Sequence, residues 1–147
     1  MSYTRWNTYS SYLKARYGHP VYRIGVDGGF SCPNRNADKS GGCAFCDGTG
    51  SVAVYQRQSE SGFFHDSDFE SEVSSRIIAR YASIEEQIRK GQAFVKARYK
   101  TEDVSLYFQS WTNTYDSVEN LRRIYDRALS LGRFRELIIS TRPDCID

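Results

Sequence analysis

Residues 21–50 read VYRIGVDGGFSCPNRNADKSGGCAFCDGTG, a strand that runs into a cysteine loop. Val21 to Val26 alternates, with Tyr22, Ile24 and Val26 on one side and Val21, Arg23 and Gly25 on the other, the period of a β-strand. Asp27-Gly28-Gly29 breaks that strand with a sharp turn and delivers Phe30 and Cys32 beyond its carboxyl end. In parallel α/β folds that end is where sites are built.

Three of the four cysteines, Cys32, Cys43 and Cys46, fall inside this loop. The last two frame Ala44 and Phe45 as C-x-x-C, so both thiols of that short turn can face one centre. Gly41-Gly42 lets the loop fold back so that Cys32 reaches the same centre. A structural zinc takes four protein ligands and an ordinary iron-sulfur cluster takes four cysteines, so three thiolates leave one coordination position open. Clustered cysteines around a glycine pair, in a chain whose first residues are polar rather than a secretory signal, favour metal over disulfides.

Outward from the loop, the chain alternates strands and helices. Upstream, Tyr9, Tyr12, Leu13 and Tyr17 recur at helical spacing between Asn7 or Thr8, either able to cap, and Gly18, a stop; this short helix is expected to cover the open end of a sheet. Downstream, residues 51–66 carry no assignable pattern beyond a short extended piece near Val52 to Tyr55. Ser67 and Glu70 form a capping box, and Phe69, Val73, Ile77, Tyr81, Ile84 and Ile88 then predict a long helix ending at Gly91, with Glu85–Arg89 and Glu86–Lys90 pairs on its exposed side. Lys96, Arg98 and Lys100 read as a solvated basic surface. Val104 to Gln109 alternates as a second strand, and Asp116 with Glu119 opens a helix carrying Val118, Leu121, Ile124, Ala128 and Leu131 and ending at Gly132. Phe134 to Ser140 holds the apolar run Leu137-Ile138-Ile139, like a strand buried on both faces. Strand, helix, strand, helix, strand is the order of an α/β fold with a parallel sheet of βα units.

The 147 residues suit one domain, and 39% hydrophobic with 26% charged residues describes a chain that folds. A formal net charge of +2 gives no compositional case for nucleic-acid binding. No apolar run approaches the roughly 20 residues of a membrane helix, so a cytoplasmic location with no membrane partner is expected.

The cysteine loop after a first strand, with Phe45 before the last cysteine, resembles the radical S-adenosylmethionine (radical SAM) superfamily. The commonest spacing there is C-x-x-x-C-x-x-C, and the ten-residue gap from Cys32 to Cys43 resembles instead the subgroup that includes the catalytic subunit of the tRNA-modifying elongator complex. The blocks RWNTYSSYLKARYGHPVYRIGVDGGFSCPNR, GGCAFC, YFQSWTNTY and STRPDC are similar to an uncharacterised bacterial radical SAM family within that subgroup. The resemblance implies the N-terminal half of a partial (β/α)6 barrel, spanning residues 1–147. It implies a 4Fe-4S cluster on Cys32, Cys43 and Cys46, S-adenosylmethionine chelated to the open iron, and an electron donor such as flavodoxin or ferredoxin. The substrate is not named by it, although kinship with elongator suggests RNA. Phe45 is implied at the adenine, and Gln109, Thr112 and Asn113, just past strand two, at the SAM amino group, although Q-S-W-T-N-T departs from the usual Gly-Gly-Glu there. Ser140, Thr141 and Arg142 follow strand three at the same rim, and Arg142 offers a planar fork for a carboxylate, with an ion pair to Asp144 or to the other half of the barrel as its other reading. Cys145 reads as a small buried residue away from the cluster loop. The competing readings are a structural zinc module for protein or RNA contacts, completed by Asp47, His65 or Cys145, and an inactive truncated fragment.

Overall fold

A computed structural model describes residues 6–36, 40–44, 46, 53–57 and 82–146. Its frame is three parallel strands, β1 (Tyr22–Val26), β2 (Val104–Phe108) and β3 (Phe134–Ile139), in the order β1-β2-β3. Tyr22 pairs with Val104 and Val26 with Phe108; Phe108 in turn pairs with Ile139, after a bulge that shifts the register between Val104 and Leu106. The fold is therefore α/β with a parallel sheet, as the strand and helix order predicts.

Four helices accompany the sheet among the described residues: α1 (Tyr9–Tyr17), α2 (Val54–Arg57), α3 (Ile84–Tyr99) and α4 (Val118–Leu129). The Thr8 hydroxyl caps α1 and Gly18 ends it at φ 78°, the left-handed turn that glycine takes without steric cost. Of its apolar stripe only Leu13 is buried. The rings of Tyr9 and Tyr12 stay exposed while the Tyr9 and Tyr17 hydroxyls reach Glu136 and the Arg135 carbonyl, so α1 is tied to β3 by polar tips.

The long helix differs from the sequence expectation at both ends. Residues 58–81, with the Ser67 capping box, lie outside the described residues. Ser83 caps α3 by accepting from the Glu86 N–H at 3.1 Å, which makes Ile84 its first residue rather than a late turn of a longer helix. Gly91 does not stop it. The helix runs on to Tyr99 and closes on Lys100 at φ 56°, because Gly91 is the point where α3 comes down on Ile24 of β1 and a side chain would not fit. Glu86 pairs with Lys90 as expected, but Glu85 reaches across to Arg127 of α4 instead of Arg89. Residues 54–57 form a helical turn and not an extended piece.

Ile24, Val26, Leu106, Phe108, Ile88, Val95 and Ala128 form the core between the sheet and α3 with α4. Phe108 meets the Tyr125 ring edge-on at 4.8 Å and packs beside Phe30, so the turn after β1 is anchored in the same core. Burying a phenylalanine of this kind contributes about 2–3 kcal/mol. β3, expected to be buried on both faces, is only half-buried, and Ile139 is 36% exposed, because it is the outer strand of the described sheet.

The outer edge of β1 is covered by side chains. Residues 22, 24 and 26 face β2, leaving Gly25 and Asp27 to present N–H and C=O outward. The Gly25 N–H donates to the Tyr55 hydroxyl, and the Gln56 amide donates to the Gly25 carbonyl at 3.3 Å. Gln87 of α3 takes both groups of Asp27, at 2.8 and 3.1 Å. At Gly25 and Asp27 the strand edge that could template pairing is thereby occupied.

Candidate functional site

The site lies where the three strands end. After Val26 the Asp27 carboxylate accepts from the Gly29 N–H at 2.8 Å, an Asx turn that needs the positive φ of Gly29 (77°). Gly28 has the Phe30 ring where a Cβ would stand, so the turn is tight enough to send Phe30 into the core and Cys32 out to the rim.

From Cys32 the loop doubles back. The Arg35 N–H donates to the Cys32 carbonyl, Arg35 and Gly41 form an antiparallel bridge, and Asn36 bonds Ser40 through backbone and side chain. Gly41 and Gly42 take φ 75° and 114°, as the expected fold-back requires. The Asn34 amide then donates to Cys43 Sγ at 3.1 Å, and the Cys46 N–H to the Cys43 carbonyl at 2.9 Å. Cys32 and Cys43 are half-buried, Cys46 is exposed, and all three thiols are free. Phe45, Asp47 and His65 lie outside the described residues.

The β2 loop supports the cysteine loop from behind. The Gln109 N–H donates to the Val26 carbonyl, and its carboxamide lies over Gly25, where a Cβ would be 2.5 Å from Oε1. Thr112 N–H donates to the Ser31 carbonyl, and Thr112 Oγ1 stands 2.9 Å from Cys32 Sγ. Asn113, fully buried, donates through its amide to the carbonyls of Phe108 and Ser140, and so ties the ends of β2 and β3 together. Its Oδ1 has no partner among the described residues. Trp111 takes φ 66° and lies 3.8 Å beneath the Arg35 guanidinium, a stacked cation–π contact between the two loops. Sequence reasoning passed over Arg35 and Trp111; a lone Arg and Trp some 75 residues apart carry no periodic signal.

Arg142 forms a two-pronged ion pair with Asp144, Nε to Oδ1 at 2.9 Å and Nη2 to Oδ2 at 2.7 Å. The pair raises the guanidinium pKa further and holds the Asp144 carboxyl below its ordinary value. Ser140 N–H donates to the Phe108 carbonyl, so this residue extends the sheet by one rung at the rim. Cys145 departs from expectation: it is half-buried and lines, with Pro33, Thr114, Tyr115, Asp116 and Asp144, a cleft of about 420 Å³ directly beside the cysteine loop.

Three proteins give the measure of kinship. The chain is similar to the uncharacterized protein YtqA of Bacillus subtilis (31% identity over 97% of the chain), to protein YhcC of Escherichia coli K12 (33% over 95%) and to the uncharacterized protein MJ0486 of Methanocaldococcus jannaschii (30% over 95%). It spans 38, 37 and 36% of their lengths. No family model matches the chain, and no solved structure matches it with significance. The likeness thus covers 95 to 97% of the chain, in two bacteria and an archaeon.

The donor set has a definite chemistry. Among the described residues no three His, Cys, Asp or Glu side chains stand close enough together to hold a single metal ion. Three free soft thiols on one folded-back loop, two of them already contacted by Asn34 and Thr112, are the donor type that an iron-sulfur cluster takes.

Proposed function

We propose that this chain is the N-terminal part of a radical SAM enzyme of the elongator-like subgroup, its sheet the first three strands of a partial (β/α)6 barrel. The observation that carries the reading is the placement of three free cysteines on one loop at the carboxyl end of a parallel sheet. Cys32, Cys43 and Cys46 would hold a 4Fe-4S cluster through three irons, leaving the fourth for the amino and carboxylate groups of S-adenosylmethionine. When bound, the cluster supplies the electron that cleaves the sulfonium to methionine and a 5′-deoxyadenosyl radical, the reductant being a low-potential carrier such as flavodoxin or ferredoxin.

The protein's share is placement. Phe45 precedes the last ligand and is assigned to the adenine. Gln109, Thr112, Asn113 and Ser140 form a polar rim past β2 and β3, and their backbone groups are consumed in holding that rim rigid. Asp144 takes the Nε and Nη2 side of the Arg142 guanidinium, so a SAM or substrate carboxylate would meet its remaining Nη donors or displace Asp144. RNA is the substrate class favoured by the elongator likeness.

Anaerobic reconstitution with iron and sulfide tests the reading. About four irons per chain, broad visible absorbance and a change of the reduced-cluster spectrum on adding SAM are the expected results. A colourless protein that takes up one zinc in preference to iron overturns it.

A further inference from the structure

We propose that Thr112 is a positioning residue for the Cys32 thiolate, donating a hydrogen bond that raises the reduction potential of iron bound through that sulfur. The inference rests on the cluster reading above and deepens it. Thr112 Oγ1 lies 2.9 Å from Cys32 Sγ, and the side chain is 1% exposed, so water does not compete for the hydroxyl. Both partners are fixed by backbone. Thr112 N–H holds the carbonyl of Ser31, the residue before Cys32, while Asn113 next in sequence is locked to Phe108 and Ser140. Tyr125 adds a bond from its hydroxyl to the Asn113 carbonyl. The β-branched side chain has little rotamer freedom to lose.

The direction of the bond follows from ligation. A free thiol and a hydroxyl can each donate, but a cysteine that binds iron is a thiolate and can only accept, so the proton must come from Thr112. A donor on a ligand sulfur withdraws charge from it. Reduction adds one electron and no proton, making the iron-bound sulfurs more negative, and the bond strengthens with that charge; the reduced state is therefore favoured and the potential rises. Asn34 performs the same contact on Cys43 from an exposed position, where water can replace it. Among the described residues, Cys32 alone of the three receives its donor from a buried side chain on a different strand end.

The test compares the protein with Thr112→Val, which keeps the shape and loses the hydroxyl, and Thr112→Ser, which keeps the hydroxyl. Each is reconstituted without oxygen, its iron counted, and its cluster titrated with dithionite against redox dyes while the reduced form is followed by electron paramagnetic resonance. The expected result is equal iron in all three, a midpoint shifted to more negative potential in T112V, and a return toward the parent value in T112S. Iron lost in T112V and regained in T112S supports the same bond. Full iron with an unshifted midpoint in T112V overturns the inference and leaves the cluster reading standing. Iron lost from both variants overturns it in favour of packing, and a parent protein that binds no iron overturns both.

Discussion

Gly91 of α3 sits so close to Ile24 of β1 that a Cβ at residue 91 would stand 2.9 Å from the Cβ of Ile24. The helix and the strand that leads into the cysteine loop touch at this point. Gln87, one turn earlier on the same helix, holds both backbone groups of Asp27, so the height of α3 over the sheet also sets where the cysteine turn begins.

Gly91→Ala is expected to destabilise the protein. Alanine gains up to about 1 kcal/mol of helix propensity, but an added methyl against a buried branched side chain costs about 1–3 kcal/mol in displaced packing. The second effect should win, because Ile24 is fully buried and cannot rotate away. Chemical denaturation checks the sign: a variant as stable as the parent shows that the contact relaxes freely.

Tyr55→Phe removes the acceptor of the Gly25 N–H at the outer edge of β1. An amide left unpaired in a buried position costs about 1–3 kcal/mol. Hydrogen exchange at Gly25 should speed up markedly, while Ile24, whose amide faces β2, keeps its protection. Equal acceleration at both residues points to general loosening and not to a lost edge bond.

These two contacts mark where the sequence was legible and where it was not. Thr8, Gly18 and the alternating runs of β1 and β2 act locally, through caps and side-chain period, and they read correctly. Gly91 looks like a stop because glycine ends helices often, yet here it serves close approach to a strand 67 positions away, which no local pattern encodes. The true stop, Lys100 in the left-handed region, is a residue type that gives no warning. In the site, the three cysteines and the folding glycines were visible in their spacing. The polar residues past β2 were visible as a group, but Thr112 facing Cys32 and Asn113 joining two strand ends depend on tertiary placement. Arg142 is paired with a residue two positions on, the reading its neighbour Asp144 already offered.

Stability should fall at high pH through Tyr125. Burial beside Phe108 and Phe30 pushes its phenol up to about 12, against an ordinary value of 10.0. A raised folded-state value means that the native state keeps its proton when the unfolded chain has lost it. The stabilisation is whole below pH 10 and declines as pH climbs from about 10 through 12. Tyr125→Phe should flatten that decline, in denaturation midpoints measured across this interval, though it also removes the bond to the Asn113 carbonyl and so lowers stability at neutral pH. An unchanged slope would mean that another group governs the alkaline limb.

The cysteines separate most cleanly by substitution. Cys43 receives a hydrogen bond from Asn34 and accepts the Cys46 N–H at its carbonyl, so it sits at the hinge of the C-x-x-C turn. Cys145 belongs to a short 3-10 turn, Pro143–Cys145, with its thiol 3.9 Å from an Asp144 carboxylate oxygen. Cys145 shares the rim cleft with Pro33, yet it stands outside the folded-back loop that carries the three clustered cysteines. Cys43→Ala is therefore expected to abolish iron loading, since three thiolates are the least that holds a cluster with one open iron. Cys145→Ser should load as the parent does. Iron counts and visible absorbance after reconstitution decide between them, and equal loss in both variants would show that Cys145 is a ligand and that the open coordination position does not exist.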